Sequence, residues 1–336
     1  MKAAVLVELN KPLVITNVNL TELQMGQVLV RVLVSGICGS QVHEIRGFKG
    51  NAKFLPHLMG HEGCGIVEEV GPGVNRLKRG DKVVMHWRIG SGIESEFPLY
   101  SMNGKEFSSG KVTTLSEFSI VSENRLTKIP SETNPEFAAL LGCSMSTALS
   151  TIEKISDLKF GESVVIIGSG GIGLNLIAAA RIRGAGKIYA IDNSKSKRDL
   201  SKLQGATEFF ESIRDVPENI DLIIDTTGNT EIIADSLSRL GKDGRIILIG
   251  QPKPSDELKI PRGIVFFNGN GLKMMATQGG ETVPTMDIPR YIDLYDSGIL
   301  KIDHLITHRY GLEEINEGFA TLMSGNAGRI LIRVGN

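Results

Sequence analysis

The sequence predicts an α/β protein in two parts: a β-rich domain that opens and closes the chain, and a doubly wound parallel-sheet domain between them. Up to about Leu126 the apolar residues fall in short runs such as Gln27–Val34 and Gly65–Val70, cut by turn signals at Gly71-Pro72-Gly73 and Arg79-Gly80-Asp81. From Asn134 the pattern turns helical and then alternates. Strands are expected at Val164–Ile167, Lys187–Ile191, Leu222–Asp225 and Arg245–Ile249, and helices at Ile172–Arg183, Lys195–Leu203 and Glu231–Leu240. Strands alternating with helices imply a parallel sheet covered on both faces. After Gly271 the character is mixed, and Arg329–Val334 reads as a strand rejoining the first domain. The expected domains are 1–144 with 277–336, and 145–276 between them.

A chain of 336 residues supports about two domains of ordinary size. Lys and Arg number 37 against 38 Asp and Glu, a net charge of −1. That balance argues against a nucleic-acid binder, which gathers cations on one face, and favours a small-molecule partner. Cys38, Cys64 and Cys143 are the three cysteines. An odd count without framework spacing argues against a disulfide-stapled secreted fold and fits a reducing cytoplasm. The start, Met1 to Glu8, is a first strand rather than a signal peptide, since charge and Pro12 break the apolar run early. Val164–Ile182 is too rich in glycine and polar residues to cross a membrane.

Gly168-Ser169-Gly170-Gly171-Ile172-Gly173 follows the apolar run Val164–Ile167 and opens a helix. In a strand–turn–helix unit Gly168 allows the tight turn, Gly170 lets the backbone approach a pyrophosphate, and Gly173 allows helix and strand to pack closely. The helix N-terminus adds a partial positive charge. Asp192 closes the next strand about twenty residues on, where a carboxylate binds a ribose diol. Such a charge repels a 2′-phosphate, so NAD is favoured over NADP. Lys197 is grouped with the cofactor residues, and with Lys195 and Arg198 it softens that discrimination.

Three separated stretches carry metal-ligand chemistry: Gly36-Ile37-Cys38-Gly39-Ser40-Gln41-Val42-His43, Gly60-His61-Glu62-Gly63 and Leu141-Gly142-Cys143-Ser144. Between them lie two thiols, imidazoles and a carboxylate, and a catalytic Zn²⁺ takes three protein ligands with one position open. Cys64, flanked by glycines in an apolar run, is assigned to the core.

With these motifs stand Val70-Gly71-Pro72-Gly73-Val74, Gly80-Asp81-Lys82-Val83 and Ile315-Asn316-Glu317-Gly318-Phe319. Taken in order, the set resembles the zinc-dependent alcohol dehydrogenases of the medium-chain dehydrogenase/reductase superfamily over nearly the whole chain. The resemblance implies a Rossmann domain and a discontinuous GroES-like catalytic domain. It implies that Cys38, His61 and Cys143 bind one catalytic zinc, with Glu62 a further, exchangeable ligand. Ser40 and His43 would pass the proton of the reacting hydroxyl toward solvent. Thr147 would lie beside the nicotinamide, Arg329 would reach the cofactor phosphates, and Trp87 would line the substrate pocket. Family members form homodimers and homotetramers, and Leu258–Ile260 after Arg245–Ile249 leaves an edge that could pair.

Departures from the family pattern sharpen the expectation. Trp87 to Phe118 holds no cysteine, so a structural zinc is not expected. Gln41 stands where many relatives have an aspartate behind the zinc-bound histidine, and is expected to orient His61. Gly39 resembles the polyol and threonine dehydrogenase branch, which points to a polyol, sugar or cyclitol. Loops Arg46–Pro56 and Arg88–Ser109 would shape the pocket. Two other readings stay open: a catalytically silent NAD-binding homologue, and a zinc-free quinone or enone reductase. The intact Cys38, His61, Glu62, Cys143, Ser40 and His43 argue against both.

Overall fold

The structure is a computed structural model that describes residues 1–50, 54–260 and 271–335. Of the loop Arg46–Pro56, residues 51–53 lie outside the described residues. The chain divides into two compact units. The first is Met1–Ser146 with Val283–Leu294 and Ile306–Asn336, and the second is Thr147–Thr282 with Tyr295–Leu305.

The first unit is built on the strand Gln27–Ile37, whose alternating buried residues Val28, Val30 and Val32 face a core with Val67, Val83 and Met85. Glu62–Val70 pairs with it antiparallel, matching Ser35 to Gly63, and Lys82–His86 pairs in turn with Glu62–Val70, matching His86 to Glu62. The C-terminal strand Arg329–Arg333 returns to the other side of Gln27–Ile37, matching Ile330 to Ile37. A second apolar cluster, including Leu6, Ile37, Ile315, Phe319 and Ile330, ties this return to the start of the chain. In the cysteine-free stretch after Trp87, Leu99–Met102 and Lys105–Ser108 form a hairpin that pairs with Asn19–Leu20.

The second unit is a six-stranded parallel sheet in the order Glu208–Phe210, Lys187–Ile191, Ser163–Ile167, Ile220–Asp225, Leu240–Leu248, Lys273–Ala276. In chain order this is 3-2-1-4-5-6, the arrangement that binds dinucleotides where the strand order reverses. Its strands read as continuous apolar runs because helices cover both faces. Leu258–Ile260 pairs with no strand among the described residues, and the last strand of the sheet is Lys273–Ala276. No helix among the described residues is long and apolar enough to cross a membrane.

Candidate metal and nucleotide sites

Antiparallel pairing assembles the metal-ligating residues. Cys38 follows the C-terminal end of Gln27–Ile37, and that end lies beside the N-terminal end of Glu62–Val70, which His61 precedes. Cys143 sits between the helices Pro135–Leu140 and Ser144–Ser150. The donor atoms of Cys38, His61 and Cys143 lie within 4.8 Å of one another, with Cys38 Sγ 3.4 Å from His61 Nε2. Residues separated by more than a hundred positions thus form one cluster of two sulfurs and an imidazole nitrogen. Such a donor set fits a tetrahedral Zn²⁺ with one position left for a substrate. Cys64, by contrast, is fully buried on Glu62–Val70, and burial pushes its thiol up to about 12.

The protonation pattern of the cluster is that of ligands close enough to share protons. A hydrogen bond from Cys143 and the neighbouring His61 hold the Cys38 thiol well below the ordinary range, while donation to Cys38 and burial hold Cys143 well above it. Burial alone would lower His61, but the Cys38 thiolate beside it raises the imidazole above its usual value. Both thiols must be deprotonated to bind a metal, so binding would release protons.

Glu62 is fully buried and its carboxylate is not one of this cluster's donors. Its Oε1 accepts a hydrogen bond from Arg329 Nη2, and its Oε2 accepts from the backbone N–H of Ser144 at 3.0 Å. The side chains are 1% and 3% exposed, a closed ion pair. Arg329 opens the return strand next to Ile37, which explains how a residue 267 positions away reaches Glu62. Its Nε is buried without a hydrogen-bond partner among the described residues, a donor available to an anionic ligand.

Gln41 departs from its expected role. Its Oε1 accepts from the backbone N–H of Cys38 at 2.8 Å, so it anchors the start of the Gly39–Ile45 helix instead of His61. Ser40 Oγ accepts a hydrogen bond from Lys49 Nζ at 3.1 Å, a partner that the sequence motif did not signal. His43 packs edge-on against Phe48, at 5.6 Å between ring centroids. No hydrogen bond joins Ser40 to His43 among the described residues. Burial, Lys49 and Arg46 together lower the His43 imidazole. Trp87 is half-buried, its carbonyl accepts from Arg125 at 2.8 Å, and the Arg88 guanidinium lies 5.5 Å over its ring. Thr147 is buried in the Ser144–Ser150 helix.

In the second unit Gly168 to Gly173 joins Ser163–Ile167 to the helix Gly171–Arg183. Gly168 has φ +90°, and a Cβ on Gly173 would sit 1.7 Å from the Gly168 carbonyl oxygen, so neither position accepts a side chain. Space is open beside Gly170, within which no atom lies 4 Å from where a Cβ would stand. The Ser169 hydroxyl is buried with no partner among the described residues. An open backbone cradle with an unpaired donor at a helix N-terminus fits a pyrophosphate. Asp192 accepts the N–H of Ser169 at 2.8 Å and that of Ser194 at 2.9 Å, so it also pins the glycine turn. Lys197 is buried; burial lowers its ammonium, and Asp192 opposes that shift.

Residues 24–131 match the alcohol dehydrogenase GroES-like domain, and residues 171–297 match the zinc-binding dehydrogenase domain. The chain is 30% identical to alcohol dehydrogenase 6 of Peromyscus maniculatus, over 98% of this chain and 97% of that protein. It is 28% identical to the NDMA-dependent alcohol dehydrogenase of Amycolatopsis methanolica, over 96% of each. Among solved structures, an alcohol dehydrogenase zinc-binding domain protein from Burkholderia ambifaria superposes with a TM-score of 0.89 at 25% identity, covering 100% of this chain and 99% of that one.

Proposed function

The chain belongs to the zinc-binding alcohol dehydrogenase family of the medium-chain superfamily, an oxidoreductase family acting on alcohols and carbonyls, and from that premise we propose that it is a zinc- and NAD-dependent dehydrogenase of a secondary alcohol. The substrate class is a polyol, sugar or cyclitol. The observation that carries this reading is the converging Cys38, His61 and Cys143 donor set.

Cys38, His61 and Cys143 would hold the zinc. When bound, zinc supplies a Lewis acid that acidifies a hydroxyl or polarises a carbonyl, and the nicotinamide exchanges the hydride. Ser40 orients the substrate hydroxyl and receives its proton. His43, kept neutral at pH 7 by burial and by its cationic neighbours, is the acceptor on the way to solvent. Glu62 would become a ligand only by giving up Arg329. The Gly168–Gly173 turn and the helix behind it hold the pyrophosphate, Asp192 and Lys197 the adenosine ribose. Arg329 would offer its free Nε to a cofactor phosphate, with Thr147 beside the nicotinamide and Trp87 against the substrate. The three free cysteines suit a reducing cytoplasm, and the Lys273–Ala276 edge suits a homodimer or homotetramer.

The test is a panel of polyols, sugars, cyclitols and simple alcohols assayed by NADH absorbance, with metal analysis of the same preparation. One zinc per chain and turnover of a secondary alcohol are expected. Protein that binds no zinc after reconstitution and reduces no NAD with any of them would sink the reading.

A further inference from the structure

We propose that Lys49 forms a subsite for an anionic group, a carboxylate or a phosphate, carried by the substrate a short distance from its reacting hydroxyl; this deepens the dehydrogenase reading and rests on it. The ammonium of Lys49 is hydrogen-bonded at 3.1 Å to Ser40 Oγ, and Ser40 lies two residues after Cys38. A positive charge therefore stands against the hydroxyl that meets the substrate oxygen. The contact leaves the Ser40 hydroxyl hydrogen free, because the ammonium has donors only and the serine oxygen must accept.

The charge is uncompensated locally. Lys49 and Arg46 form no ion pair among the described residues, where the Arg46 side chain donates to Met323 Sδ. From Arg46 to Pro56 the sequence has Arg46, Lys49 and Lys53 and no carboxylate. The nearest acid on the preceding helix, Glu44, is taken by His57 at 2.8 Å. Lys49 also acts on His43, whose imidazole is lowered by burial, by Lys49 and by Arg46. A lysine placed only for solubility would have no need to fold back onto Ser40. A cation beside the reacting hydroxyl with no acid of its own is complementary to a substrate anion, and on binding one it would exchange the Ser40 contact for a charge-assisted hydrogen bond. In the reaction the carbinol C–H leaves as hydride to NAD⁺ and the O–H proton leaves through Ser40. The anionic group is unchanged.

The experiment separates binding from turnover. Zinc-loaded protein with NADH present, a combination in which an alcohol cannot be oxidised, is titrated calorimetrically with 3-hydroxybutanoate against 2-butanol, and with glycerol 3-phosphate against glycerol. At least one anionic member is expected to bind about tenfold tighter than its neutral partner, the scale of one charge-assisted hydrogen bond. The pair that shows the difference identifies carboxylate or phosphate as the source. Lys49→Met should abolish the preference, Lys49→Arg should keep most of it, and added salt should weaken it. No preference in either pair, or one that survives Lys49→Met, would overturn the proposal. So would a Lys49→Met variant that loses kcat equally on anionic and neutral alcohols with binding unaltered, which would make Lys49 a support for Ser40. The same preparations assayed with NAD⁺ test the dehydrogenase reading separately: a Lys49-dependent preference without turnover of any alcohol would sink that reading and leave the subsite standing.

Discussion

Glu62 and Arg329 form an ion pair closed off from solvent, with the backbone N–H of Ser144 on the second carboxylate oxygen. Removing one member of such a pair leaves the other charged in a low-dielectric interior, which costs more than the pair itself contributes. Arg329→Met is therefore expected to lower unfolding stability by about 3 kcal/mol, read from the urea midpoint. Gly36→Ala should act in the same direction, because its Cβ would lie 2.3 Å from Glu62 Oε1. A midpoint unchanged in Arg329→Met would show that the carboxylate protonates or turns to solvent at little cost.

The three cysteines divide sharply. Cys38→Ser and Cys143→Ser are expected to lose bound zinc and all measurable turnover while NADH still binds, since the glycine turn belongs to the other compact unit. Cys64→Ala should keep one zinc per chain and cost about 1 kcal/mol of stability, as a small core truncation does. Metal analysis beside NADH fluorescence titration decides both. Retained zinc in either ligand variant would contradict the donor set.

The pattern of the fold and much of the candidate site were legible in the sequence because they rest on local signals. Gly168–Gly173 combines a strand, a turn that tolerates no Cβ and a helix start within a few residues, and Cys38 and His61 lie in glycine-rich motifs of known spacing. What stayed hidden depends on side chains meeting across strands. Nothing around Arg329, one arginine opening the apolar run Ile330-Leu331-Ile332, signals that its partner is Glu62. The family resemblance casts Gln41 as a support for His61, but as the third residue of the Gly39–Ile45 helix it caps the Cys38 N–H. Lys49 was invisible for the same reason: its contact with Ser40 needs the chain to fold back after the helix.

Asp192 is placed to act twice, on the cofactor and on the turn that holds it. Asp192→Ala should raise the ratio of kcat/KM for NADP over NAD, because the repulsion of a 2′-phosphate disappears. It should also weaken both cofactors, because the Ser169 N–H loses its acceptor. Asp192→Asn keeps an acceptor without the charge, and is expected to relax the preference with a smaller loss of affinity. Initial rates with both cofactors check this, and a native protein already faster with NADP would contradict it.

His86 gives the fold an acid limit that can be measured. The ring is 1% exposed, donates from Nδ1 to the Arg88 carbonyl at 2.8 Å and shares a hydrogen bond of 2.9 Å between Nε2 and Thr127 Oγ1, partners that the neutral ring satisfies in full. Burial, with Arg125 nearby, pulls it from 6.5 down to about 4. Above pH 6.5 the ring is neutral in the folded and unfolded chains, and stability does not depend on it. Between 6.5 and 4 the unfolded chain takes up a proton that the folded chain refuses, so stability falls as pH falls, by about 3 kcal/mol in all. Below that window both forms are protonated and the slope vanishes. His86→Gln, which has a donor and an acceptor but does not titrate, should flatten this limb while losing some stability at pH 7. Urea midpoints of both proteins from pH 7 to pH 4 would decide it, and parallel curves would mean that another group carries the acid sensitivity.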